Sequence, residues 1–484
     1  MSAFAGIAML LTVALAMIVT GLPTWLLLVG VALVFGIGGG IVGVVPWQLY
    51  GSVPSRLVGL FENDLLQALP LYVFMGALLN RLPLAEALFR TVSRTVSGRG
   101  QGAPVAALVL GSVFAPMNGS VGASVVMLGR TVAPRLRESG VSQARTAAVV
   151  AMASTLGVVI PPSLVLILLG DAMLRAHTEA VNMTGRAAQI INTQDVFRGA
   201  LVPAAAVLLG TLALTAWQSR HDRAASSSEP PALAAIPGQT ITAMVVLAGI
   251  LALLGAVTLG YVYAVEAAAA GGMAIVIYGI VTRAITRPVL AAVVRDTINV
   301  TGALFALLVA ATMFTLVLRG LGTDRLVAAW LTGVGGGTYA TLGFALAALA
   351  LCAFVLDAFE MIFVVIPLIV PPVLVRIADP VWVSVLVLLI LQASFLVPPF
   401  GYAVLMTRNV LRLRLRASAL MRALVPYLLV QLMVIVFVLA WPSILWHPGS
   451  DESAGQARHP ISDDESREMM ERQLAPAVSE DPAR

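Results

Sequence analysis

Charge is what this sequence has least of. Only 11% of its 484 residues are charged, while 59% are hydrophobic; a soluble globular domain carries about 25% charged residues. So small a supply cannot cover a chain of this length in water, which excludes a soluble enzyme and leaves a lipid bilayer as its medium. Cysteine is nearly absent as well. The single Cys352 excludes an internal disulfide framework and any multi-cysteine metal site. The four histidines, His177, His221, His447 and His459, are scattered and form no HExxH pair. A GxxxxGK[ST] phosphate loop is missing too, so ATP energy would have to enter through another subunit, and an ion gradient is favoured. The net charge of +5 comes from arginines beside apolar segments, a mark of membrane topology and not of nucleic-acid binding. The first twenty residues lack the basic start and small-residue cleavage site of a signal peptide, and read as the first span.

What the chain has in abundance is apolar sequence. Stretches long enough to cross about 30 Å of hydrocarbon fall at 2–20, 24–45, 64–80, 146–170, 198–217, 238–258, 261–282, 301–319, 381–396 and 424–446. Two further regions, 103–135 and 339–375, are interrupted midway by polar residues or glycine. The tail 447–484 is rich in Asp, Glu, Ser and Pro, has no apolar periodicity, and is expected to be disordered. Trp25, Trp47, Trp330, Trp382, Trp441 and Trp446 mostly sit near span ends, as interfacial anchors do. Asp171 reads as the solvent-facing end of a span, and 176–196 as a polar surface segment suited to a partner contact.

Arginines decide how the interrupted regions lie. Arg81, Arg90, Arg94 and Arg99 precede the first; Arg130, Arg135, Arg137 and Arg145 follow it. Both flanks are basic and therefore cytoplasmic, so the region is a re-entrant hairpin or a pair of full spans, and its short arms and glycine-rich tip favour the hairpin. Arg220 and Arg223, then Arg283, Arg287 and Arg295, then Arg408, Arg412, Arg414, Arg416 and Arg422 mark further cytoplasmic loops. With five spans between them, the two hairpins enter from opposite faces, and both termini fall on the periplasmic side. Three landmarks repeat at nearly constant offset: IPPS at Ile160 and VPPF at Val397, the tips at Gly119 and Asp357, and LLNRLPLAEAL at Leu78 with VLRGLGTDRLV at Val317, separated by 237, 238 and 239 residues. An internal duplication of inverted topology follows. The first repeat covers 1–217, a cytoplasmic linker 218–237, and the second repeat 238–446.

Chemistry belongs where helices break, because in hydrocarbon an unpaired backbone survives only when it is buried or lines a polar cavity. The first candidate is NGSVGAS, with Asn118, Gly119, Ser120, Gly122 and Ser124. Exposed helix N-termini there could hold an anion, and unwound carbonyls a sodium ion; simple close packing of small residues is the alternative. The second is STLGVVIPPS, with Ser154, Thr155, Pro161, Pro162 and Ser163. Two prolines in succession remove two backbone donors, giving either a kink or a site between repeats. The third is LDAFEMIF, where Asp357 and Glu360 share one helix face. An intramembrane acid costs a few kcal/mol, so the pair binds a coupling cation, meets an arginine or caps the broken hairpin. Gln392 and Ser394, just before Pro398, Pro399 and Gly401, add polar groups to the second Pro-Pro break.

These motifs carry a family resemblance. PLYVFMGALLNR from Pro70, NGSVGASVVMLG from Asn118, STLGVVIPPSLVLILLGD from Ser154, VLDAFEMIFVVIPLIVPP from Val355 and QASFLVPPFGYAVLM from Gln392 resemble the large membrane subunit of tripartite ATP-independent periplasmic transporters. The similarity runs from about residue 5 to 445, and the last two motifs resemble the branch for mannitol and chloroaromatic compounds, which includes 2-oxo acid importers. The resemblance implies an all-helical, polytopic elevator-type transporter of the bacterial inner membrane. It further implies a sodium-driven importer of an organic acid, here a monocarboxylate or 2-oxo acid, working with a periplasmic binding protein and a small four-helix membrane subunit. The sodium ligands would come from the residues named above. Val397 departs from the family's usual Thr-Pro-Pro at the second break, removing a hydroxyl that could ligate sodium, and the acidic tail has no counterpart. A stand-alone ion-coupled importer, a membrane-embedded hydrolase using Asp357 or Glu360, and a purely structural subunit are the competing expectations.

Overall fold

A computed structural model describes residues 2–446 apart from 63, 83, 98–101, 186–190, 225–238, 334, 336, 355, 398–400 and 413–415. The expected tail 447–484, and Pro398 and Pro399 of the expected second break, therefore lie outside the described residues. Within them the chain is a bundle of helices with no strand. Apolar sequence forces this result, because a helix pairs every interior amide with its own carbonyl four residues back.

The order is α1 Ser2–Thr20, α2 Thr24–Ile41, α3 Val53–Phe61, α4 Asp64–Arg81, α5 Leu84–Ser97, α6 Gly102–Phe114, α7 Val121–Thr131, α8 Ala133–Glu138, α9 Gln143–Val159, α10 Leu164–Thr184 and α11 Thr193–Ala224. Then come α12 Gln239–Leu259, α13 Ala264–Val281, α14 Arg287–Gly320, α15 Thr323–Gly333 and α16 Gly337–Cys352. The chain finishes with α17 Ala358–Arg376, α18 Pro380–Ser394, α19 Tyr402–Val410 and α20 Ala417–Ala440. Six of these helices are long and apolar enough to cross a membrane, and two bent pairs raise the number to eight. At 13 and 11 residues, α6 and α7 are too short to span about 30 Å. At 19 residues α17 has the length of a span, yet most of it is buried inside the protein.

One succession occurs twice. A long helix, an amphipathic helix, a helix–turn–helix and a broken helix follow one another as α4, α5, α6 with α7, and α9 with α10, and again as α14, α15, α16 with α17, and α18 with α19. Packing sorts the helices into two sets. An outer set forms where α4 packs on α13 and α14, α14 on α2, α1 on α2, and α12 on α13. An inner set contains both helix–turn–helix units together with α9, α10, α11, α18, α19 and α20. Burial follows the same division: every residue from Thr146 to Val159 of α9 is buried, whereas α1, α2, α12 and α13 turn large apolar side chains outward, Ile18, Val34 and Ile277 among them. Such faces suit lipid, where an apolar surface has no reason to hide.

Several local expectations change. The span expected at 146–170 is two helices, α9 and α10, bent by 41°. Asp171 is not the solvent-facing end of a span: α10 runs on to Thr184, Asp171 is buried, and its carboxylate takes a hydrogen bond from Arg175 at 3.0 Å. The segment 176–196 is only partly a surface, since Ala176, His177, Ala180, Ile191 and Asp195 are buried. Trp382 is no interfacial anchor; it is buried, and its indole donates to the Val438 carbonyl at 2.9 Å. Arg145, counted as a loop charge, reaches inward to donate to Ser219 Oγ at 2.8 Å and the Thr215 carbonyl at 3.3 Å. Helix α11 continues to Ala224, and 225–238 of the expected linker lie outside the described residues.

Candidate functional site

The first tip is built by its residue types. Pro116 begins a short 3-10 turn, Gly119 takes a left-handed φ of 71°, and Ser120 starts α7 as its N-cap. A left-handed residue ends one helix cheaply only when it has no Cβ. The Ser120 hydroxyl accepts from the Ala123 amide at 3.1 Å, and Ser124 Oγ donates to the Ser120 carbonyl at 3.1 Å. Asn118 is buried and donates from Nδ2 to Ser124 Oγ at 3.2 Å, leaving its Oδ1 without a protein partner. A buried carbonyl oxygen without a donor costs about 1–3 kcal/mol.

The first break lies against this tip. Ile160 ends α9 in an extended conformation, Pro161 and Pro162 cannot donate, and Ser163 caps α10 by accepting from the Leu166 amide at 3.1 Å. Ser154 and Thr155 donate to the carbonyls of Val150 and Met152, at 2.7 and 2.9 Å. Their hydroxyl protons are thus spent inside the helix, while their oxygen lone pairs stay open. Tip and break together enclose a cavity of about 10 Å³, lined by Ala115, Pro116, Gly119, Ser120, Ser154 and Gly157 among others. That is room for roughly one water-sized particle. Gly157 makes the contact close: a Cβ there would stand 2.3 Å from the Ala115 carbonyl carbon. The small residue at 157 thus serves close packing of tip on break.

At the second tip Asp357 starts α17 and forms a capping box with Glu360. The Asp357 amide donates to the Glu360 carboxylate, and the Asp357 carboxylate faces the Glu360 amide. Capping is thus what both acids do, and the Thr24 hydroxyl of α2 also faces Glu360. The helix then widens into a π turn over Met361–Val365, with Ile366 between it and Pro367. A proline there has no amide to bond and its ring crowds the preceding turn, which a wider turn relieves. Beyond the pair, α18 ends at Ser394, whose hydroxyl donates to the Leu391 carbonyl at 2.7 Å. Gln392 is fully buried, and neither its Oε1 nor its Nε2 has a protein partner. Gly401 starts α19, where a Cβ would sit 2.6 Å from the Phe395 carbonyl oxygen.

The two halves meet crosswise. Helix α7, the returning arm of the first tip, packs on α19 beyond the second break; α17, the returning arm of the second tip, packs on α10 beyond the first. Tyr402 marks the crossing. Its hydroxyl lies 2.7 Å from where a Cβ of Gly122 would be. Sequence reasoning passed over Tyr402, Gly157 and Thr24, because a tyrosine or threonine at a helix start and a glycine in an apolar helix carry no local signal. Among the described residues no three His, Cys, Asp or Glu side chains group as a metal centre. One consequence is testable. Gly122→Ala should push the Tyr402 hydroxyl aside and lower uptake several-fold, since overpacking costs about 1–3 kcal/mol; adding Tyr402→Phe should restore much of it. Equal loss in the single and double variants would mean that the two residues do not meet.

Comparison with known proteins now adds to the geometry. The family model described as "Tripartite ATP-independent periplasmic transporter, DctM component" matches residues 1–444. The C4-dicarboxylate TRAP transporter large permease protein DctM of Rhodobacter capsulatus is 24% identical over 442 residues, 89% of this chain and 97% of that protein. Its namesake from Pseudomonas aeruginosa is 24% identical over 408 residues, 81% of this chain and 88% of the relative. Among solved structures, the Alcanivorax borkumensis YdaH transporter superposes with a TM-score of 0.62 at 14% identity, over 87% of this chain and 97% of that one. Neisseria gonorrhoeae MtrF, from a class of antimetabolite efflux pumps, gives 0.54 at 12% identity over 81% of this chain and 83% of its own. At such identities the structures are alike in fold.

Proposed function

Since the chain belongs to the DctM-component family of tripartite ATP-independent periplasmic transporters, and so is a membrane permease and not an enzyme, we propose that it imports an organic anion on a sodium gradient. The crosswise packing of α7 on α19 and α17 on α10 is the observation that carries this reading. A midplane site between inverted repeats would bring two helix breaks together from opposite directions, and this packing supports such an arrangement. Basic loops put both termini on the periplasmic side of the inner membrane under the positive-inside rule. Family membership brings two partners into the proposal, a small membrane subunit and a periplasmic binding protein that delivers the anion.

The division of labour follows from the residues. Sodium takes oxygen ligands, and the cavity of ion size has the hydroxyl-bearing Ser120 and Ser154 in its lining, among small and apolar residues. The anion takes the start of α7, where free amides and the positive helix end attract negative charge. Two carboxyl groups, on Asp357 and Glu360, lie at the second tip. They would repel a second carboxylate on the cargo, which favours a monocarboxylate or 2-oxo acid over the C4-dicarboxylates for which the relatives are named. The inner set moves as a body against the outer set, carrying both tips with it.

Uptake into proteoliposomes holding the permease, its small subunit and its binding protein tests this directly. Sodium and membrane potential are varied separately, and monocarboxylates and C4-dicarboxylates are offered in turn. Uptake should need inward sodium, and Ser120→Ala should raise the sodium concentration for half-maximal uptake several-fold, as loss of one ligand predicts. Full-rate uptake without sodium would refute the coupling, and a preference for dicarboxylates would refute the cargo class.

A further inference from the structure

At one end of the bundle two arginines cross from one set of helices to the other. Arg319, in the last turn of α14 in the outer set, bonds Glu179 of α10 in the inner set, Nη2 to Oε2 at 2.8 Å. Arg198, near the start of α11 in the inner set, donates from Nη2 to the Leu259 carbonyl at 2.9 Å. Leu259 is the last residue of α12 in the outer set, so this guanidinium also meets the negative end of a helix dipole. The following Gly260 has a φ of 86°, and a Cβ there would lie 3.2 Å from the same guanidinium. The two contacts share an end of the bundle: a short connection joins α10 to α11, and α12 and α14 run the same way on either side of the returning α13.

Other arginines behave differently. Arg81 pairs with Asp296 at 2.5 Å, joining α4 to α14 within the outer set. Arg145 bonds Ser219, joining α9 to α11 within the inner set. These hold each set together, whereas Arg319 and Arg198 hold the sets to each other. Exposure sets how firmly. The Arg319 and Glu179 side chains keep 35% and 26% of their surface, so water can take over from the partner as they part. A fully buried pair would strand two bare charges on opening and could not be broken in every cycle.

We propose that Arg319–Glu179 and Arg198–Leu259 form a reversible latch that holds the inner set at the end of the bundle opposite the arginine-rich loops, and that each transport cycle opens both contacts. This rests on the reading of the inner set as a moving body. Glu179→Gln removes the charge and keeps the shape. It should move the population away from the latched position by about two- to fivefold, the scale of a part-exposed ion pair. Exchanging the partners, Glu179→Arg with Arg319→Glu, should restore it.

The measurement is the distance between spin labels at positions 183 and 261, both exposed, on α10 and beside α12, in the full chain in proteoliposomes with Cys352 replaced by serine. Two distance populations are expected, with the shorter one depleted by Glu179→Gln and regained in the exchanged variant. Two populations that Glu179→Gln leaves in the same ratio would overturn the latch and leave the moving body standing. A single distance in every variant, with and without sodium, would overturn the moving body and the latch with it.

Discussion

Replacing Gly157 by valine is expected to abolish uptake, a loss of at least about tenfold, in a permease that still inserts and purifies. The reason is contact and not chemistry. A Cβ at 157 stands 2.3 Å from the Ala115 carbonyl carbon and 2.5 Å from its oxygen, and both are backbone atoms that no rotamer change can move. The first tip must therefore lift off α9, opening the cavity between Ser120 and Ser154. Overpacking of this kind costs about 1–3 kcal/mol for modest additions, and a β-branched pair of methyls against backbone lies at the upper end. Gly157→Ala should give a smaller loss in the same direction. Sodium-dependent protection of a cysteine placed at Ser120 reports on the site separately from transport, and it should vanish in the valine variant. Normal protection together with normal uptake would show that tip and break need not touch.

Glu360→Ala is expected to lower uptake by roughly five- to a hundredfold, and Glu360→Gln to lower it less. Alanine removes the acceptor of the Asp357 amide and strands a buried donor, which costs about 1–3 kcal/mol. Glutamine keeps an oxygen for that amide and removes only the negative charge. The ratio between the two variants therefore separates capping from charge. If glutamine is as poor as alanine, the carboxylate acts on the cation or the cargo beyond its cap. If both transport at the full rate, Glu360 has no part in the site. Hydrogen exchange at the Asp357 amide gives an independent check, since it should quicken in the alanine variant alone.

Much of the architecture was readable from composition and pattern. Scarcity of charge requires a membrane chain, and the paired Pro161 and Pro162 require a broken helix whatever surrounds them, because neither can donate. Gly119 and Ser120 announce a turn followed by a helix start, and the structure has them as such. The acids Asp357 and Glu360 were read with three roles open, and the structure shows the cap. The misreadings share a cause. Trp382, Asp171 and Arg145 were judged by polarity and sequence position, yet each reaches a partner on another turn or another helix: Val438, Arg175 and Ser219 respectively. Side-chain length lets a polar group travel several ångströms from where its backbone lies.

The sequence by itself determined the medium, the helical class, the places where helices stop and the polar atoms exposed there. These depend on local physics: the hydration of charge, the missing amide of proline, the missing Cβ of glycine. Only the tertiary structure decided which break faces which tip, that Tyr402 reaches from α19 to Gly122, and that Arg319 reaches Glu179 across 140 residues of chain. Those pairings depend on how non-adjacent helices cross, and in lipid that is settled by close packing of small residues and by hydrogen bonds between helices. Such packing is a property of two surfaces at once, and no single stretch of sequence contains it.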